Sequence, residues 1–131
     1  MNKTAFLFPG DIMAAAEKEL VQIAEDKLAA TVLVAPHHGS RSSSSEVFLD
    51  AVKPKVIIIS SGRKSRFNFP HPTILRRYEK RGSKIYRTGV NGALQMETDG
   101  RYLKIKPFVS LNNTPRFRAR LKSSAPPVKI N

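Results

Sequence analysis

All three histidines of the chain stand beside turn residues that follow apolar runs. His37 and His38 are adjacent in "VLVAPHHGS", His71 lies between two prolines in "FPHP", and Asp11 closes "FLFPGD". An aspartate carboxylate with imidazole nitrogens is a ligand set suited to zinc or manganese, and an aspartate can bridge two ions so that they share a hydroxide nucleophile. Each residue also has a plainer use. Asp11 can cap the helix that follows it, and His37 and His38 can hydrogen-bond within a loop. Gly39 permits a tight turn or a close backbone approach, and Ser40 to Ser45 can form a connection and a cap. His71 has its direction restricted by the flanking prolines. What favours a site is placement, because in open α/β sheets ligands bind along the edge where strands end.

The elements that must position these residues are readable from periodicity. "TAFLF" and "TVLVA" suit buried strands, and the β-branched run of "KVIIISSG" is the strongest strand signal. A helix is expected from Ile12, with Asp11 at its N-cap. Ile12, Met13, Ala16, Leu20, Ile23 and Ala24 form its inner face, and Glu17, Lys18, Glu25 and Asp26 its outer one. "SSSEVFLDAVKP" predicts a short helix capped by Ser45 and ended by Pro54. "HPTILRRYEKRGSK" predicts another, with Pro72 in its first turn and Gly82 at its stop. "KIYRT", "ALQMET" and "YLKIK" read as antiparallel strands joined by tight turns at "GVNG" and "DG". Alternating strands and helices make the fold class α/β. Residues 1–106 are expected to form one unit, and 107–131 a basic, Pro- and Ser-containing disordered tail.

The chain has 131 residues and a formal charge of +13. That charge attracts polyanions such as nucleic acid, anionic headgroups or acidic glycopolymers. Between Arg63 and Arg87 nine cations face only Glu79, and no acid follows Asp99. A solvated surface with a basic tail is the alternative reading. The absence of cysteine excludes disulfides, thiolate metal sites and a cysteine nucleophile. No apolar run approaches the roughly 20 residues needed to span a bilayer, and the chain reads as soluble.

The segments "FLFPGDIMAAAEKEL" and "VLVAPHHGSRSSSSEVFLDAVKPKVIIISSGRKSRFNFPHPTILRRYEKRGSKIYRTGVNGAL" resemble the C-terminal metallo-β-lactamase-like domain of ComEC-type DNA-uptake competence proteins. Gly-Asp, His-His-Gly-Ser with its serines, the "PKVIIIS" strand, Pro-His-Pro and the "YRTGVNG" hairpin come in that family's order. In the family this domain follows a bacterial membrane channel for single-stranded DNA and is proposed to act as a metal-dependent nuclease. The resemblance implies the C-terminal half of an αββα sandwich, a mixed sheet with helices on one face. It makes Asp11 and His37 the metal ligands, with His38 the alternative to His37 and a catalytic candidate. His71 matches the second histidine of the family's His-Pro-His-Pro, which contacts the scissile phosphate or acts as general acid. Phe69 stands where the first of those histidines would be. Nothing in the chain matches the superfamily's upstream His-x-His-x-Asp-His motif. An upstream domain or a second chain is therefore expected to complete the site and cover an exposed sheet face.

Three functions follow as expectations. One is a portion of a zinc- or manganese-dependent phosphodiesterase of the DNA-uptake system, in which Arg41, Arg63, Lys64 and Arg66 hold the backbone of DNA or another phosphate ester. Another is a nucleic-acid-binding module that does not cut, with stacking by Phe67, Phe69 or Tyr86. The third is an inactive fragment.

Overall fold

Four short strands, β1 (Phe6–Leu7), β2 (Val32–Val34), β3 (Val56–Ile59) and β4 (Lys84–Arg87), pair in parallel in that order. The computed structural model describes residues 3–108 and 128–129. Parallel neighbours need crossover connections, supplied by α1 (Ala14–Ala24), α2 (Glu46–Val52) and α3 (Pro72–Lys80). Sequential strand order with right-handed crossovers sends all three helices to one face of the sheet.

Register makes the two faces explicit. Leu7, Leu33, Ile57 and Ile85 lie in one row across the sheet. With Ala35 and Ile59 they meet Phe48, Leu49 and Val52 of α2 and Ile74 and Tyr78 of α3 in the larger core. The alternate residues Val32, Val56, Ile58 and Tyr86 point the other way and pack on Leu103 and Ile105. Those two belong to β6 (Tyr102–Pro107), which pairs antiparallel with β5 (Leu94–Thr98) and with β7 (Val128–Lys129). Apolar residues on both faces of β2 and β3 are what a sheet covered on both sides requires.

Several expectations are corrected here. The mixed sheet is two sheets, one parallel and one antiparallel. "KIYRT" extends the parallel sheet as β4, and "GVNG" lies in a helical turn, α4 (Thr88–Asn91), rather than a hairpin. The sheet face expected to lie bare is covered by β5 and β6, with Val32, Val56, Ile58 and Tyr86 all buried. Strand β6 runs to Pro107. Of the expected tail, 109–127 and 130–131 lie outside the described residues, whereas Leu103 pairs with Val128 and Tyr102 with Lys129. Among the described residues no helix is long and apolar enough to cross a membrane.

Helix α1 also differs from its expected form. It starts at Ala14, whose N–H donates to the Ser42 carbonyl at 2.9 Å, so Asp11 is not its cap. Its inner stripe is Glu17, Leu20, Val21 and Ala24, while Met13 and Ile23 are exposed. Glu17 is fully buried, and its carboxylate accepts the Ser44 N–H at 2.6 Å and the Ser45 N–H at 2.8 Å. Ser45 occupies the N-cap position of α2, but its hydroxyl makes no capping bond. The Glu17 carboxylate serves that helix terminus instead, where donors and dipole both favour negative charge.

Candidate functional site

The turns after β1, β2 and β3 converge at one edge of the parallel sheet. His37 donates its N–H to the Gly10 carbonyl at 3.0 Å, and Ala35 donates to Ile58 at 2.8 Å, so the three strand ends are stitched together. His37, His38 and Gly39 have φ of 47°, 55° and 80°, three successive residues in the left-handed region. Side chains rarely adopt that conformation, and surrounding structure must hold it. The Gly39 carbonyl accepts the His71 N–H at 2.9 Å, and a Cβ on Gly39 would lie 2.7 Å from the Pro70 Cβ. The Phe69–His71 segment, with a cis Phe69–Pro70 peptide, is thereby docked onto the histidine turn.

A cleft of about 380 Å³ opens at this edge, lined by Asp11, His37 and His38 on one side and by Ser60 to Gly62, Ser65, Phe67 and Phe69 on the other. The His38 Nδ1 lies 2.6 Å from the Ser60 carbonyl. A carbonyl only accepts, so Nδ1 carries a proton, and Nε2 faces the Asp11 Oδ1, 3.6 Å away. That gap is too long for a hydrogen bond. Two donors each about 2.1 Å from one tetrahedral ion would sit about 3.4 Å apart, so the spacing suits a shared cation. His37 packs edge-on to Phe69 with ring centroids 5.7 Å apart, and its buried Nδ1 has no hydrogen-bond partner. Among the described residues no group of three or more histidines, aspartates or glutamates converges on a metal position. Protein zinc sites take at least three protein ligands, so Asp11 and His38 do not by themselves fit a complete metal site.

The remaining expected residues separate into two groups. His71 is half-buried outside the cleft lining and serves as the N-cap of α3, its Nδ1 accepting the Thr73 N–H at 3.2 Å. Arg63, Lys64 and Arg66 are exposed on the loop that carries Ser65 and Phe67 into the cleft, and Arg41 is exposed just beyond Gly39. Among the described residues none of these four cations joins an ion pair. Two contributors escaped sequence reading. The Ser60 carbonyl, which orients His38, is a backbone group with no residue-type signal. Glu17 left one, since it heads the 17-20-21-24 stripe at helical spacing.

No protein-family model matches the chain. Competence protein ComA of Neisseria gonorrhoeae is 41% identical over 91 residues, 70% of this chain and 13% of that protein. ComE operon protein 3 of Bacillus subtilis is 32% identical over 91 residues, again 70% of this chain and 12% of the relative. Recombination protein 2 of Haemophilus influenzae is 42% identical over 65 residues, half of this chain and 8% of its own length. The matched segment is homologous to competence proteins. It corresponds to a minor part of each relative, 13% of the length at most among these three.

Proposed function

We propose that the chain is part of a metal-dependent phosphodiesterase or nuclease-like hydrolase acting in DNA uptake, and that alone it binds its polyanion without cutting it. The observation carrying this reading is the Asp11–His38 pair, set 3.6 Å apart at the strand-end edge of a segment homologous to competence proteins. In the proposed site Asp11 and His38 are two ligands of a zinc or manganese ion, with further ligands from an upstream domain or a second chain. His37 is the neighbouring donor. The His71 Nδ1 is engaged by Thr73, which leaves its Nε2 as the atom that would meet a phosphate bound beside the cleft. Arg41, Arg63, Lys64 and Arg66 would hold the phosphodiester backbone of DNA or a related phosphate ester.

Metal content tests the ligand pair. After dialysis against zinc and then metal-free buffer, the chain is expected to retain well under one ion per molecule, because two donors make a weak site. Stoichiometric retention that disappears in Asp11→Ala and His38→Ala would overturn that expectation and show a site assembled within this chain.

A reading as a binding module that never cuts is favoured by the two-donor inventory. Manganese-dependent cleavage of DNA by the chain, lost in Asp11→Ala, would exclude it and would also overturn the statement that the chain alone does not cut. Salt dependence tests the basic loop: replacing Arg63, Lys64 and Arg66 together by alanine should flatten the slope of log affinity against log salt by about 2 to 3. An unchanged slope would remove that loop from the interface.

A further inference from the structure

We infer that Phe67 is a stacking platform for one nucleobase, an assignment that rests on the polyanion reading above and adds a base-directed contact to it. Phe67 is 74% exposed, and its ring is not isolated. It stacks on Phe69 at a centroid distance of 5.7 Å and an interplanar angle of 29°. Phe69 in turn meets the edge of His37, also at 5.7 Å and at 63°. A row of three rings therefore runs from the histidine turn to the cleft mouth and ends in an accessible aromatic face.

The surrounding charge identifies what that face would take. Arg63, Lys64 and Arg66 precede Phe67 on the same exposed loop, so three cations lie within the four residues before the ring. Phosphates beside a planar ring describe a nucleotide. Cations tracking a backbone while aromatics stack its bases is the general mode of single-strand binding, and it tolerates any base because every base has a π-face. A cleft of about 380 Å³ has room for a ligand of nucleotide size. The faces of paired bases in a duplex are covered by their neighbours, so the platform serves an unpaired base.

The chain contains no tryptophan, which makes Phe67→Trp a direct reporter at an exposed position where folding is not at stake. The variant is titrated with a labelled oligothymidylate and, separately, with an abasic oligomer of equal length and charge. Binding is read by anisotropy of the strand and stacking by indole emission. The expected result is saturable quenching by oligothymidylate and none by the abasic strand, although both bind. In parallel, Phe67→Ala should weaken oligothymidylate binding by about tenfold or more and leave the abasic strand nearly unaffected. Binding of both strands with no difference in quenching or in the alanine effect would overturn the platform and leave the basic loop intact. Binding of neither strand would overturn the polyanion reading and the platform with it.

Discussion

Glu17→Ala is expected to destabilise the fold by about 3–5 kcal/mol in urea denaturation, with an unchanged dependence on denaturant. A substitution on a helix surface would cost a few tenths. The carboxylate is fully buried and accepts two backbone N–H groups at the start of α2, so its removal leaves the buried Ser44 donor and the part-buried Ser45 donor unpaired. The loop it holds is also committed elsewhere. The Ser44 hydroxyl lies 2.5 Å from that of Tyr78, and the Ser44 carbonyl accepts from Arg77 at 3.0 Å. Burial pushes the Tyr78 phenol up to about 12, which keeps it a neutral partner throughout the physiological range. Ser44 itself sits at φ 53°, a conformation sustained by these bonds. Glu17→Gln separates shape from charge. Its amide oxygen serves one N–H while its NH₂ opposes the other, so about half the loss should return. A cost below 1 kcal/mol for Glu17→Ala would show that water reaches the serine loop and that the carboxylate is not its anchor.

That position also shows where sequence reading stops. Strands β2 and β3 were legible because an apolar run with β-branched residues suits a sheet buried on both sides, and α3 because Pro72 and Gly82 bracket a clear stripe. The face of α1 was not. A glutamate heading the stripe reads as solvent-facing until its acceptors are seen to meet backbone donors from another element. Strand β4 alternates like a hairpin strand, and its partner is set by the crossover through α3, which is a tertiary matter. At the site, residue types and strand-end placement singled out Asp11 and the histidine pair. Which histidine turns toward Asp11 depends on successive left-handed residues whose directions no periodicity encodes. His71 was legible as a functional candidate but not as a helix cap, a position dominated by shorter polar side chains. The resemblance to competence proteins is supported by the homologous relatives, and the metal belongs to the proposal.

The histidine turn also makes the second large effect calculable. Gly39→Ala places a methyl group 2.7 Å from the Pro70 Cβ while forcing alanine to φ 80°. The left-handed backbone alone costs about 1–2 kcal/mol, and the clash, which only movement of the proline ring and its backbone can relieve, adds about 1–3. Gly10→Ala is the control, because Gly10 is also left-handed, at φ 66°, but has nothing within 4 Å of its added methyl. The difference between the two variants in urea denaturation should therefore isolate the docking of Pro70, at about 1–3 kcal/mol. Equal losses would mean that Pro70 yields freely and that the close approach restrains nothing. The same substitution reaches the site, since the Gly39 carbonyl holds the His71 N–H and Pro70 follows Phe69, whose ring bridges His37 and Phe67. At temperatures where Gly39→Ala remains folded, its affinity for oligothymidylate should fall relative to Gly10→Ala while its salt slope stays the same. A displaced ring removes a stacking contact and leaves the phosphate contacts in place.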